Sequence, residues 1–201
     1  MPKVKVPRKS TTVDMTAMTD VAFLLLTFFM LATKFKPDEP VTVDTPSSIS
    51  ETKLPDVDMM MITIDKAPEN RIFFGIDGQQ KRDSLLNMMA AKYKVTFTAE
   101  EHKEFSLLSA FGVPIAQLKQ FLALPPTERS KVKQTGIPCD SVNNELGDWI
   151  WFSRLVNNKI RVAVKGDQST SFPVVKQVMN TLQDKKMNKF NFITTLERGA
   201  E

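Results

Sequence analysis

The sequence is short of the residues from which most chemical sites are built. Of its 201 residues one is cysteine, Cys139, and one is histidine, His102. A single thiol cannot close an internal disulfide, and with neither a CxxC pair nor a histidine cluster a disulfide scaffold or a zinc site has no support. The seven glycines form neither a phosphate-cradling loop nor a dinucleotide fingerprint, and no nucleophile motif accompanies them. No metal, no cofactor and no bond-making chemistry are expected, so the chain does not read as an enzyme. Excess charge is scarce as well. The formal charge of +4 equals the four cations Lys3, Lys5, Arg8 and Lys9, which stand in the first 13 residues with no acid among them, so the rest of the chain sums to zero. The basic balance is local to the N-terminus and implies no nucleic-acid partner. With 25% charged and 42% apolar residues, the composition suits a folded chain of one domain with additions.

Long apolar runs are equally rare, and the one present is informative. Residues 15–33 make 19 positions that, at about 1.5 Å rise each, extend roughly 28 Å, close to the thickness of a hydrocarbon core. The run has no Pro or Gly, so a helix can pair its backbone groups internally, as lipid requires. Residues 14–34 are therefore expected to form a transmembrane helix, after a basic tail at 1–13. The cations before it place the N-terminus in the cytoplasm and everything after Lys34 on the far side; Lys34 and Lys36 reduce the asymmetry and can snorkel to the interface. A secretory signal peptide has a similar outline, but a 20-residue leader and the poor cleavage context around Ala32, Thr33 and Lys34 favour an uncleaved anchor.

Inside this run stands Asp20. An acid near mid-helix costs roughly 2.5–3.5 kcal/mol on insertion scales, while each Leu, Phe or Val returns about 0.3–0.6. Helical spacing puts Thr16, Asp20 and Thr27 on one face, a polar stripe on an apolar rod. One reading has Asp20 in the headgroup region as a cap or dipole partner of a short, tilted span. The other makes it a working acid inside the membrane whose partners come from a second membrane chain.

The remainder reads as α+β. The runs MMMITI and RIFFGI, separated by a turn with Pro68 and Asn70, predict a hairpin. IRVAV and FNFIT are two more strands, and between them Pro173 opens a helix with Val174, Val175, Val178, Met179 and Leu182 at helical spacing. Strand, helix and strand predict a βαβ unit with a parallel pair, residues 160–164 beside 190–194. Between them, Thr98 and Glu101 form a capping-box pattern, Pro114 opens PIAQLKQFLAL, and NNELGDWIWFSRLV is a third helical candidate. These are expected as small helices laid against the sheet. His102, among Glu100, Glu101 and Glu104, reads as a lone histidine on a solvated acidic face. Trp149 and Trp151 read as core.

The stretch DMTAMTDVAFLLLTFFML, with Asp14 and Asp20 ahead of its apolar run, resembles the signature of the ExbD/TolR family of biopolymer-transport proteins. VTVDTPSS at 41–48 is similar to the strand-and-proline stretch after the family's membrane helix, 60–77 to its first hairpin and 160–194 to its closing strand–helix–strand unit. The departure lies between Asp77 and Ile160, where the family has a short connection with one helix; here an insertion occupies about 79–158. The resemblance implies a single N-terminal transmembrane helix in the bacterial inner membrane, a linker with a short strand at 35–58 and a periplasmic α/β domain at 59–201. It implies a proton-motive-force-driven motor with an ExbB-like polytopic partner, a TonB-like protein that takes up the work, and a second ExbD-like chain forming a dimer. Asp20 would carry the proton, with Thr16 and Thr27 as supporting hydroxyls. A TolR-like module anchored in the membrane and binding peptidoglycan, through cations such as Lys185, Lys186 and Lys189, is the alternative.

Overall fold

The structure, a computed structural model, describes residues 15–32, 40–48, 58–129, 131–140, 143–193 and 195–196. Lys3, Lys5, Arg8, Lys9, Lys34 and Lys36, on which the orientation rests, lie outside them, as do Asp14, Thr33 and Thr194. The chain divides into two units, residues 1–37 and 38–201. In the first, helix α1 runs Met15–Ala32 with no buried residue.

The second unit is mixed α/β. Strands β2 (Met59–Ile64) and β3 (Ile72–Ile76) form the expected antiparallel hairpin, closed by a bond from Asp65 N–H to the Arg71 carbonyl of 2.9 Å. Strand β4 (Arg161–Gly166) lies parallel to β2, and β5 (Phe190–Ile193) lies parallel to β4, giving the order β3-β2-β4-β5. The predicted βαβ unit is thus present, its crossover being helix α7 (Phe172–Asp184). Two short parallel strands, β1 (Ser47–Ser48) and β6 (Thr195–Leu196), form a separate pair. Alternation explains which sheet face is covered. Met60, Ile62 and Ile64 pair across with Ile76, Phe74 and Ile72 on one side, and Met60 and Ile62 with Val162 and Val164 on the other, and all eight are buried. Each such side chain contributes about 1.5–3 kcal/mol by leaving water.

The insertion completes this core instead of forming a domain of its own. Its helices are α2 (Gln79–Tyr93), α3 (Ala99–Leu107), α4 (Ile115–Ala123), α5 (Pro126–Arg129) and α6 (Glu145–Val156). Trp149 of α6 is fully buried and packs on Phe74 of β3, Phe105 of α3 and Phe111, with ring centroids 5.9, 6.0 and 4.9 Å away. The capping box forms as expected: Thr98 N–H donates to Glu101 Oε2 at 2.7 Å, and Glu101 N–H to Thr98 Oγ1 at 3.3 Å. Chain segments of the insertion also close the outer edge of β3. Phe74 and Phe111 exchange backbone bonds of 2.8 and 2.9 Å, and Ile137 N–H donates to the Ile72 carbonyl at 2.9 Å. Gly112 permits that approach, because a Cβ there would collide with the Phe73 ring.

Four sequence expectations need correcting. Helix α2 was not anticipated. Trp151 is not core: it is 41% exposed, since α6 turns only the Trp149 side to the sheet. His102 is not on a freely solvated face; its Nδ1 lies 2.6 Å from Asp83 Oδ1 of α2, and Phe97 packs edge-on against its ring. Pro173 is the second residue of α7, after Phe172.

Candidate functional site

Helix α1 is 18 residues of MTAMTDVAFLLLTFFMLA, about 27 Å long, and is the one helix among the described residues long and apolar enough to cross a membrane. Ten of its residues are Ala, Leu or Met, which favour helix, and two of its hydroxyls are turned inward on the backbone. Thr27 Oγ1 donates to the carbonyls of Phe23 and Leu24, at 3.0 and 2.9 Å. Thr19, which the sequence did not single out, does the same to Met15 and Thr16, at 3.0 and 2.8 Å. Back-bonding of this kind lets a hydroxyl sit in an apolar helix without a foreign partner.

Asp20 has no such recourse. It is the sole charged residue of α1, is exposed, and meets no hydrogen-bond or ion-pair partner among the described residues. Five helical residues precede it, so it does not cap this helix and lies beyond the first turn, where the dipole acts. By helical spacing Thr16 lies about 40° and 6 Å away and Thr27 about 20° and 10.5 Å away along the axis, so all three share a stripe. Of the hydroxyls on it, Thr27 has already given its proton to its own helix and retains only acceptor capacity.

In the second unit the described polar groups are mostly engaged with one another. Among the described residues no cluster of three or more His, Cys, Asp or Glu could hold a metal. The Cys139 thiol is pushed up by burial and lies 3.4 Å from Thr181 Oγ1, an inert placement. The Tyr93 hydroxyl is likewise pushed up, by burial and by its 2.8 Å bond to Asp148. While β3 is covered, β5 forms the other edge of the sheet, and Phe192 on it is 48% exposed with its ring 5.6 Å from that of Phe190. Lys186 and Lys189 are exposed beyond the end of α7, and the carbonyls of Lys185 and Lys186 accept from Arg154 at 3.4 and 3.3 Å.

Comparison with known proteins returns one family. The family model described as "Biopolymer transport protein ExbD/TolR" matches residues 7–197. No curated protein and no solved structure matches.

Proposed function

This chain belongs to the ExbD/TolR family of biopolymer transport proteins, and from that premise we propose that it is the proton-carrying subunit of an inner-membrane motor. The family energises transport and is anchored in the membrane; the finer assignment rests on α1. A carboxyl group is neutral where it faces apolar walls and ionised where it faces water, so alternation between the two lets it pass protons. Each proton crossing 100 mV delivers about 2.3 kcal/mol, enough to bias the rotation or shift of a helix. Asp20 is the carrier in this scheme, and Thr16 and Thr27 are acceptors for water along its stripe. An ExbB-like chain encloses α1, a TonB-like chain takes up the work, and a second copy of this chain pairs through the outer edge of β5. The N-terminus is cytoplasmic and residues 59–201 are periplasmic.

The observation that carries this reading is Asp20, without a partner among the described residues, within an otherwise uncharged helix. The test is Asp20→Asn in cells that depend on this chain for uptake of an energy-dependent outer-membrane substrate. Uptake should vanish while protein level and partner association persist, because a neutral amide costs less to bury than a carboxylate. Full uptake at normal expression would leave the second reading, a TolR-like anchored module that holds peptidoglycan through Lys186 and Lys189, both exposed.

A further inference from the structure

Helix α6 packs one side on the sheet and leaves an apolar ridge on the other. Trp151 and Leu155, one turn apart and about 40° from each other around the axis, are 41% and 57% exposed. Cations flank this ridge on both sides. Arg154, about 60° round the helix from Trp151, donates through Nη1 to the carbonyls of Lys185 and Lys186 just beyond α7, at 3.4 and 3.3 Å. Asp148, about 60° round the other way, holds Lys92 Nζ at 2.5 Å and the Tyr93 hydroxyl at 2.8 Å, and Lys94 follows at the end of α2. Lys159 stands three residues past the end of α6.

The acids nearby are mostly spent. Asp148 is taken by Lys92 and Asp58 by Lys81, which leaves exposed Asp184 against Lys94, Arg154, Lys159, Lys185 and Lys186. The face is therefore apolar at its centre and positive around it. That combination selects among partners. Protein interfaces are depleted in lysine, and their Trp anchors sit in pockets. An anionic lipid surface takes Trp and Leu at the level of its headgroups, while Lys and Arg lay their stems along the boundary and present their charges to phosphate. The chain brings such a surface within reach itself: α1 and its family mark it as membrane-anchored, so the encounter is intramolecular and weak intrinsic affinity suffices.

We propose that the Trp151–Leu155 ridge and its basic flanks dock this domain on the anionic headgroup surface of the membrane that anchors the chain. Trp151 and Leu155 enter the boundary between headgroups and acyl chains, and Arg154 and the lysines meet the phosphates. Because Lys92, Lys94, Trp151, Arg154 and Leu155 all belong to the insertion, the insertion supplies the greater part of this surface. The docking rests on membrane anchoring and not on Asp20, so it stands or falls separately from the proton-carrier reading.

Both tryptophans of the chain are in α6 and α1 has none, so tryptophan emission reads this face alone. The test places the full chain in nanodiscs of phosphatidylcholine, alone or in equal parts with phosphatidylglycerol, with bromine on the acyl chains near the headgroups as a contact quencher. In the anionic discs the emission of Trp151 should be quenched and that of buried Trp149 spared, and the quenching should fade in neutral discs and in high salt. Leu155→Glu, at an exposed position, should abolish it with the reporter in place. Lys94→Gln and Lys186→Gln should each lower the ratio of docked to free domain about fivefold. Phe172→Glu, at an exposed apolar residue at the other end of α7, and Asp20→Asn should both leave quenching unchanged. Thermal midpoints establish that the variants are folded. Absence of quenching in anionic discs, equal quenching in neutral ones, or full quenching in folded Leu155→Glu would overturn the proposal. So would sedimentation on peptidoglycan sacculi that Leu155→Glu abolishes, with no quenching in the discs, since the face would then belong to the cell wall.

Discussion

Two carboxylates show how differently the two units of the chain treat charge among apolar neighbours. Asp65, at the end of β2, is 2% exposed, and both of its oxygens are used: Oδ1 accepts from Lys66 N–H at 2.8 Å, and Oδ2 accepts from Arg71. Glu145 is 4% exposed and accepts from Ile115 N–H at 2.8 Å, so it closes the start of α4. The domain thus settles its buried acids internally, and each of them ties one element to another. On α1 the acid is left open. Asp20 meets no partner among the described residues and adds roughly 2.5–3.5 kcal/mol to the cost of insertion.

That contrast is broken most directly by exchanging the two acids for amides. Asp20→Asn should reduce uptake to the level of cells lacking the chain while leaving the unfolding transition of the domain unmoved. Asp65→Asn should do the opposite. Removing one partner of a buried pair is strongly destabilising, but Arg71 keeps Glu69 and the Gln134 carbonyl, so a loss of about 2–3 kcal/mol is expected, seen as a midpoint lower by roughly 5–10 °C. Uptake should then fall only in proportion to the folded protein present. Loss of coupling in Asp65→Asn at normal folded levels would erase the distinction.

The same contrast governs what could be read from the sequence. The hairpin, the βαβ unit and the capping box of α3 were legible because each depends on local signals: alternation, a turn, a Thr three residues before a Glu. Helix α2 was not. Its buried residues Leu85, Leu86 and Met89 are bunched near the middle, no side chain caps its start, and the chain enters it through Gly78 with φ 93°, so neither periodicity nor a stop signal announced it. Trp151 and Trp149 look alike in sequence, and only the orientation of α6 against the Phe105 and Phe111 rings decides which is core. Asp20 was conspicuous because it violates its surroundings, whereas Asp65 was invisible: its partner is Arg71, across a turn whose geometry the sequence does not display. The basic flanks of the Trp151–Leu155 ridge were equally illegible, because they arise from the ends of three helices that meet only in the fold.

A pH titration sharpens the domain side of the comparison. Asp58 is held below the usual 3.8 chiefly by Lys81, Asp167 chiefly by the Ser169 hydroxyl, and Glu69 below its usual 4.5 chiefly by Lys133. A carboxylate depressed in the folded state adds stability that is complete above its unfolded value and is lost as pH falls through the folded one. The domain should therefore hold its stability down to about pH 4.5 and lose it progressively below, with denaturant midpoints falling in steps that Lys81→Met and Lys133→Met each diminish. All three groups are at least partly exposed, so the effect should shrink further in high salt.

The smallest effect is expected at Thr27, and it asks how far the stripe around Asp20 extends. Thr27→Val keeps the shape of the side chain and removes the hydroxyl. The two bonds that vanish, to the Phe23 and Leu24 carbonyls, are internal to α1, and those carbonyls keep their helical partners, so insertion and protein level should not change. What is lost is a lone-pair acceptor about 10.5 Å along the axis from Asp20, too far for direct contact and within reach of a short water file. Uptake should accordingly fall about twofold, the scale of one weak, water-mediated contact. Unchanged uptake would confine the proton path to Asp20 and the walls supplied by the partner. A loss as complete as that of Asp20→Asn would show that the hydroxyl and the acid work as one unit, since groups acting in series cost the same whether one or both are removed.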